Sequence, residues 1–171
     1  MTGDLVSDRN QTVAPEPVLM AREAVLSRGR DAITGKWRPR ILLVEDDEAV
    51  LDTFARMLRL EGYDVRTSAT PEHGLMEAER SRPDAIILDF RMPLLDGLGF
   101  LNELRSLAGQ RETPVAIVTG DYFLDDDVTR ELHELGADVL FKPMWLEQLV
   151  DLARTLIAQH SDHHRRQRRS A

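Results

Sequence analysis

Residues 86–97 read Ile-Ile-Leu-Asp-Phe-Arg-Met-Pro-Leu-Leu-Asp-Gly. An apolar, partly β-branched segment runs into one carboxylate, Asp89, and then at once into a loop punctuated by Met92-Pro93 and closed by Asp96-Gly97. A strand of a parallel sheet covered by helices on both faces reads as a continuous apolar run. Ligands of open α/β sheets bind outside the carboxyl ends of such strands. Asp89 is therefore expected in a crevice at a strand end. An aspartate that merely caps a turn at a strand exit is the competing reading, and the rest of the chain decides between the two.

Outward from this stretch the texture is regular. Residues 41–44 are apolar and are followed by Glu45-Asp46-Asp47-Glu48. Residues 49–60 place Val50, Leu51, Phe54, Met57 and Leu58 at spacings of three and four, one buried stripe of a helix, and Glu61-Gly62 ends it. A short strand is expected over 65–68, and Pro71 suits the first turn of a second helix reaching about Arg80. A third helix starts at Gly97, with Leu98, Leu101, Leu104 and Leu107 inward and Gly109 past its end. Pro114 opens a strand over 115–118 that stops at Thr119-Gly120. The acids Asp125 to Asp127 stand at the start of a fourth helix, where they oppose its dipole, and Gly136 ends it. Residues 139–141 form a fifth strand before Lys142-Pro143, and the last helix runs from Leu146 to about Gln159. Five strands alternating with five helices through short loops predict a doubly wound, five-stranded parallel sheet flanked by five helices.

The flanks differ in composition. Residues 1–38 hold Pro15, Pro17, Gly29 and Gly35 and only a thin apolar face over 18–33, so they are expected to be a mobile or partly helical arm. Residues 39–159 are the expected domain. Residues 160–171 are polar and include Arg165-Arg166 and Arg168-Arg169, a charge run of the solvated, disordered kind.

Composition narrows the function. The chain has 171 residues, 42% of them hydrophobic and 30% charged, enough for one real core. It has no cysteine, which removes disulfides, thiolate metal sites and cysteine nucleophiles together. No apolar run approaches the roughly 20 residues of a membrane span, and the expected location is cytoplasmic. A formal charge of −8 speaks against nucleic-acid binding by the folded part.

In a parallel sheet all strand ends lie on one edge. Glu45-Asp46, Asp89, Thr119 and Lys142 should therefore converge. Three carboxylates in one crevice disfavour one another's ionised forms unless a cation is present. The all-oxygen set suits Mg²⁺. Lys142 offers a point charge and Thr119 a hydroxyl to an anionic group beside the metal, and the parts fit phosphoryl transfer to a carboxylate.

Four motifs, Val-Glu-Asp-Asp at 44–47, Leu-Asp-Phe-Arg-Met-Pro-Leu-Leu-Asp-Gly at 88–97, Val-Thr-Gly at 118–120 and Phe-Lys-Pro at 141–143, together resemble the receiver domain of two-component response regulators. The resemblance covers about residues 40–159. It implies a flavodoxin-like sheet order 2-1-3-4-5, with Asp89 as phosphoacceptor and Thr119 and Lys142 acting on the phosphoryl group. It further implies a Mg²⁺ site made by Asp46, by Glu45 through water, by Asp89 and by the main-chain carbonyl of Arg91. The implied donor is a phosphohistidine on a sensor histidine kinase or a histidine phosphotransfer protein, and a downstream protein partner or a homodimer would carry the output. Such a chain is no enzyme beyond its own phosphorylation and dephosphorylation.

The family's switch aromatic stands three residues before the lysine, and here that place is Val139, which has no ring to swing. Phe141 is a substitute by type, but the interior frequency of phenylalanine favours a core role for it. Two functions are consistent with these residues: a stand-alone response regulator working by phosphorelay or phosphorylation-dependent binding, and a constitutive protein-binding module on the same scaffold. A magnesium-dependent phosphatase with an aspartate nucleophile would need a second acid two residues after Asp89, where Arg91 stands.

Overall fold

A computed structural model describes residues 37–169. The chain divides into two units, Met1–Trp37 and Arg38–Ala171, and the whole sheet with its flanking helices belongs to the second. The arm expected over residues 1–38 lies, but for its last two residues, outside the described residues. Strands β1 (Arg40–Val44), β2 (Asp64–Ser68), β3 (Ala85–Asp89), β4 (Val115–Thr119) and β5 (Ala137–Phe141) alternate with helices α1 (Glu48–Leu60), α2 (Pro71–Ser81), α3 (Gly97–Ser106), α4 (Asp126–Glu134) and α5 (Leu146–Arg169). All pairings are parallel, in the order β2-β1-β3-β4-β5. The expected fold class and strand order are both found.

The two cores arise from strand alternation, since successive side chains point to opposite faces. Ile41, Leu43, Ile87 and Val118 pack with Leu51 and Leu58 of α1 and Leu149 and Leu156 of α5. Leu42, Val44, Ile86, Leu88 and Ile117 pack with Phe100, Leu101 and Leu104 of α3 and Leu132 of α4. Every residue of β3 and of β4 is buried. Each large aliphatic side chain removed from water here contributes about 1.5–3 kcal/mol, so the central strand β3 and its neighbour β4 are firmly packed, and their last residues are Asp89 and Thr119.

Two sequence expectations need correction. The last helix does not stop near Gln159: α5 continues to Arg169, through most of the expected tail. No proline or glycine interrupts residues 146–169, and arginine and glutamine are good helix formers, so the backbone continues after the apolar stripe has ended at Ile157. Phe141 is not a core residue. It ends an edge strand, is 48% exposed, and lies against the ring of Tyr122, whereas Val139 packs at the margin of the core shared with α3 and α4.

Candidate functional site

The carboxyl edge of the sheet gathers side chains from four strand ends. Glu45 comes directly after β1, and its amide N–H donates to Ser68 O at 3.1 Å, which continues the β1–β2 ladder past the last paired residue. Asp46 is exposed. Asp47 is committed elsewhere: its Oδ1 accepts from the amides of Ala49 and Val50 at 2.9 and 3.1 Å, capping α1. Asp47 thus serves the helix, while Glu45 and Asp46 group with Asp89 in the crevice. Ligand oxygens of Glu45, Asp46 and Asp89 lie within 4.8 Å of one another.

Asp89 ends β3 and is 6% exposed. The loop after it is short and pinned. Met92 is buried, Gly97 N–H donates to Phe90 O at 2.9 Å, and Asp96 caps α3 by accepting from Gly99 N–H at 2.9 Å. The loop thus closes on its own first residue, fixing the backbone that carries Asp89.

Lys142 comes directly after β5. Its N–H donates to Thr119 O at 2.7 Å, and its ammonium reaches Glu45 Oε2 at 2.9 Å and Asp89 Oδ1 at 3.0 Å. Thr119 is fully buried, and its hydroxyl oxygen accepts from Asp121 N–H at 3.0 Å. Gly120, beside it, has open space where a side chain would begin. The Arg91 guanidinium, two residues beyond Asp89, pairs with Asp121.

Electrostatically the crevice holds more negative charge than its one ammonium offsets. Burial pushes the Asp89 carboxyl up, and the charge of Asp46 adds to this, outweighing the hydrogen bond and attraction of Lys142. Glu45 is also pushed up, first by burial and further by Asp89, against the opposing pull of Lys142. Burial alone would lower Lys142, but its bonds to Glu45 and Asp89 reverse the sign and hold it above the usual lysine value. A hard divalent cation on an all-oxygen donor set answers this imbalance, so the residues present fit such an ion.

All five side chains singled out in the sequence, Glu45, Asp46, Asp89, Thr119 and Lys142, stand on this one edge. Sequence reasoning missed the Arg91–Asp121 pair and Tyr122, whose hydroxyl donates to the main-chain carbonyl of Lys142. Asp121 and Tyr122 lie two and three residues from Thr119, and only that proximity could have pointed to them.

Comparison with known proteins shows the family and the fold. The family model for the response regulator receiver domain matches residues 41–154. The transcriptional regulatory protein PrrA of Mycobacterium tuberculosis is 39% identical over 125 residues, which are 72% of this chain and 52% of that protein. The response regulator MprA of Mycobacterium leprae is 37% identical over 121 residues, 69% of this chain and 50% of that protein. The chain thus spans about half the length of the curated relatives it matches. Among solved structures, the receiver domain of a sensor histidine kinase from Pseudomonas aeruginosa PAO1, with a magnesium ion coordinated in its active site cleft, is similar at 32% identity. Its TM-score is 0.63, with 71% of this chain and 98% of that one covered. A receiver domain protein from Methanospirillum hungatei JF-1 matches at 27% identity and a TM-score of 0.67, over 74% of this chain and 98% of that one. Among the described residues no helix is long and apolar enough to cross a membrane.

Proposed function

The chain belongs to the response regulator receiver family, and from that premise we propose that Asp89 accepts a phosphoryl group from a phosphohistidine donor. A carboxylate oxygen of Asp89 attacks the phosphorus, a new O–P bond forms, and the electron pair of the P–N bond returns to the imidazole. The observation that carries this reading is the ammonium of Lys142 held 3.0 Å from Asp89 on one side and 2.9 Å from Glu45 on the other. It can track the incoming phosphoryl oxygens without leaving the crevice, and fixed positive charge aimed at developing negative charge is commonly the largest single contribution to such a step.

In this reading Asp46, Asp89, the Arg91 carbonyl and, through water, Glu45 would hold Mg²⁺. Bound there, it would supply the second positive charge against the phosphoryl oxygens. The cleft magnesium of the similar kinase receiver supports that assignment. Thr119 offers its hydroxyl at the end of the neighbouring strand and, in this reading, donates to a phosphoryl oxygen. The donor is a sensor histidine kinase or a histidine phosphotransfer protein, and the output is phosphorelay or phosphorylation-dependent protein binding by the receiver itself, the stand-alone mode. A phosphoryl group brings nearly two negative charges to this edge, enough to redistribute the ion pairs of Lys142.

Incubation with Mg²⁺ and acetyl phosphate, with intact-mass measurement of the parent chain and Asp89→Asn, tests the proposal. One added phosphate that needs both the metal and Asp89 supports it. A folded parent that takes none would favour the constitutive binding module instead.

A further inference from the structure

The residue after Phe141 carries the ammonium on which this reading of the site rests, and its backbone is gripped from two sides. Its N–H is held by Thr119 O at 2.7 Å. Its carbonyl is held by the phenol of Tyr122, whose ring also lies on Phe141 with centroids 5.4 Å apart and planes 10° from parallel. The segment bearing Tyr122 is itself anchored. Asp121 N–H donates to Thr119 Oγ1 at 3.0 Å, Phe123 N–H donates to Asp121 Oδ1 at 3.0 Å, and Arg91 pairs with the same carboxylate.

We propose that Tyr122 is a positioning residue for Lys142: its hydroxyl and its stack on Phe141 fix the backbone from which the ammonium reaches Glu45 and Asp89. The inference rests on Asp89 being the phosphoacceptor. A lysine side chain has four rotatable bonds and much rotamer freedom to lose, so its head is only as well placed as its root. A misplacement of about 1 Å near a reacting centre can cost up to about 100-fold in rate.

The contact is poorly suited to holding the fold together. Tyr122 is 62% exposed and Phe141 48%, and neither belongs to either core cluster. A ring stacked on a ring at the surface orders a loop rather than a core. The hydroxyl is what distinguishes tyrosine from phenylalanine here, because it is the part of the side chain that bonds Lys142's own backbone.

The test is a double-mutant cycle on phosphorylation by acetyl phosphate with Mg²⁺, tracking the mass of the full chain. Tyr122→Phe keeps the ring and removes the donor, and is expected to slow labelling by about 3- to 10-fold, the effect of one lost hydrogen bond. On a Lys142→Ala background the same change should have no further effect, because residues acting through one another are not additive. Phe141→Leu, which removes the ring partner, should behave like Tyr122→Phe in both backgrounds. Equal rates for Tyr122→Phe and a labelled parent would overturn the inference alone, as would an equal loss in both backgrounds, the mark of a general effect on the fold. A parent that takes no label would overturn the functional reading and this inference with it.

Discussion

The ammonium of Lys142 stands 3.0 Å from the carboxylate of Asp89, although 53 positions separate them in sequence. The register places them together: Asp89 ends β3, Thr119 ends β4 opposite Phe141 of β5, and Lys142 is the next residue. Lys142→Ala is expected to slow labelling of Asp89 by about 100-fold, the loss seen when one preorganised electrostatic group is removed. Lys142→Arg should recover only part of it, because a planar guanidinium cannot act as a compact point charge between two carboxylates. Labelling of Lys142→Ala at the parental rate would remove the lysine from the mechanism.

Stability should depend on pH and on Mg²⁺ through the two buried acids. Both Asp89 and Glu45 are pushed above their ordinary values of 3.8 and 4.5, chiefly by burial. Their ionised forms are thus less stable in the folded chain than in the unfolded one. Stability is fully present below the unfolded values and is lost as pH rises through the raised folded ones. Asp89→Asn should therefore gain about 1 kcal/mol at about pH 7, a typical single-residue effect. The gain should shrink toward about pH 4. Urea unfolding across pH reads this directly, and Mg²⁺ should stabilise the parent more than the variant. A gain that grows on acidification would have the wrong sign for this account.

Gly97 sets the geometry of the loop after Asp89. A Cβ there would stand 2.8 Å from Phe90 Cδ2 and 3.1 Å from Phe90 Cα, and the second of these is main chain that cannot rotate away. Gly97→Ala is expected to cost about 1–3 kcal/mol, as overpacking does, and to slow labelling by displacing the residue next to Asp89. An unchanged urea midpoint would show that the loop has slack.

The sheet was legible because its signals are local. The apolar runs at 41–44, 85–88 and 115–118 are bounded by acids, prolines and glycines, and residues at strand ends of a parallel sheet must share an edge. Glu45, Asp46, Asp89, Thr119 and Lys142 could be placed on that edge without coordinates. What escaped was decided by neighbours distant in sequence. Phe141 has the composition of a core residue, but it is the last residue of an edge strand, where cover depends on what the β4–α4 loop supplies, and that loop supplies Tyr122. The far end of α5 has no apolar stripe to be read, so only the absence of helix breakers marked it.

Arg91 and Asp121 tie together the loops after β3 and β4, two residues beyond Asp89 and two beyond Thr119. The guanidinium also lies 5.7 Å from the centre of the Phe90 ring, and its hydrogen bond to Asp121 holds that carboxyl below the usual aspartate range. If Asp89 is the phosphoacceptor we propose, a side chain strapped between these loops would narrow the approach of water to its acyl phosphate. Arg91→Ala should therefore shorten the lifetime of the phosphorylated chain, by about threefold, the scale of a surface ion pair. Asp121→Asn should shorten it in the same direction, because it weakens the anchor and leaves the arginine untethered. The double variant should add little, since both changes open the same strap. Decay of the phosphorylated mass after the donor is removed reads all three, and a lifetime unchanged in Arg91→Ala would show that water reaches the acyl phosphate by another path.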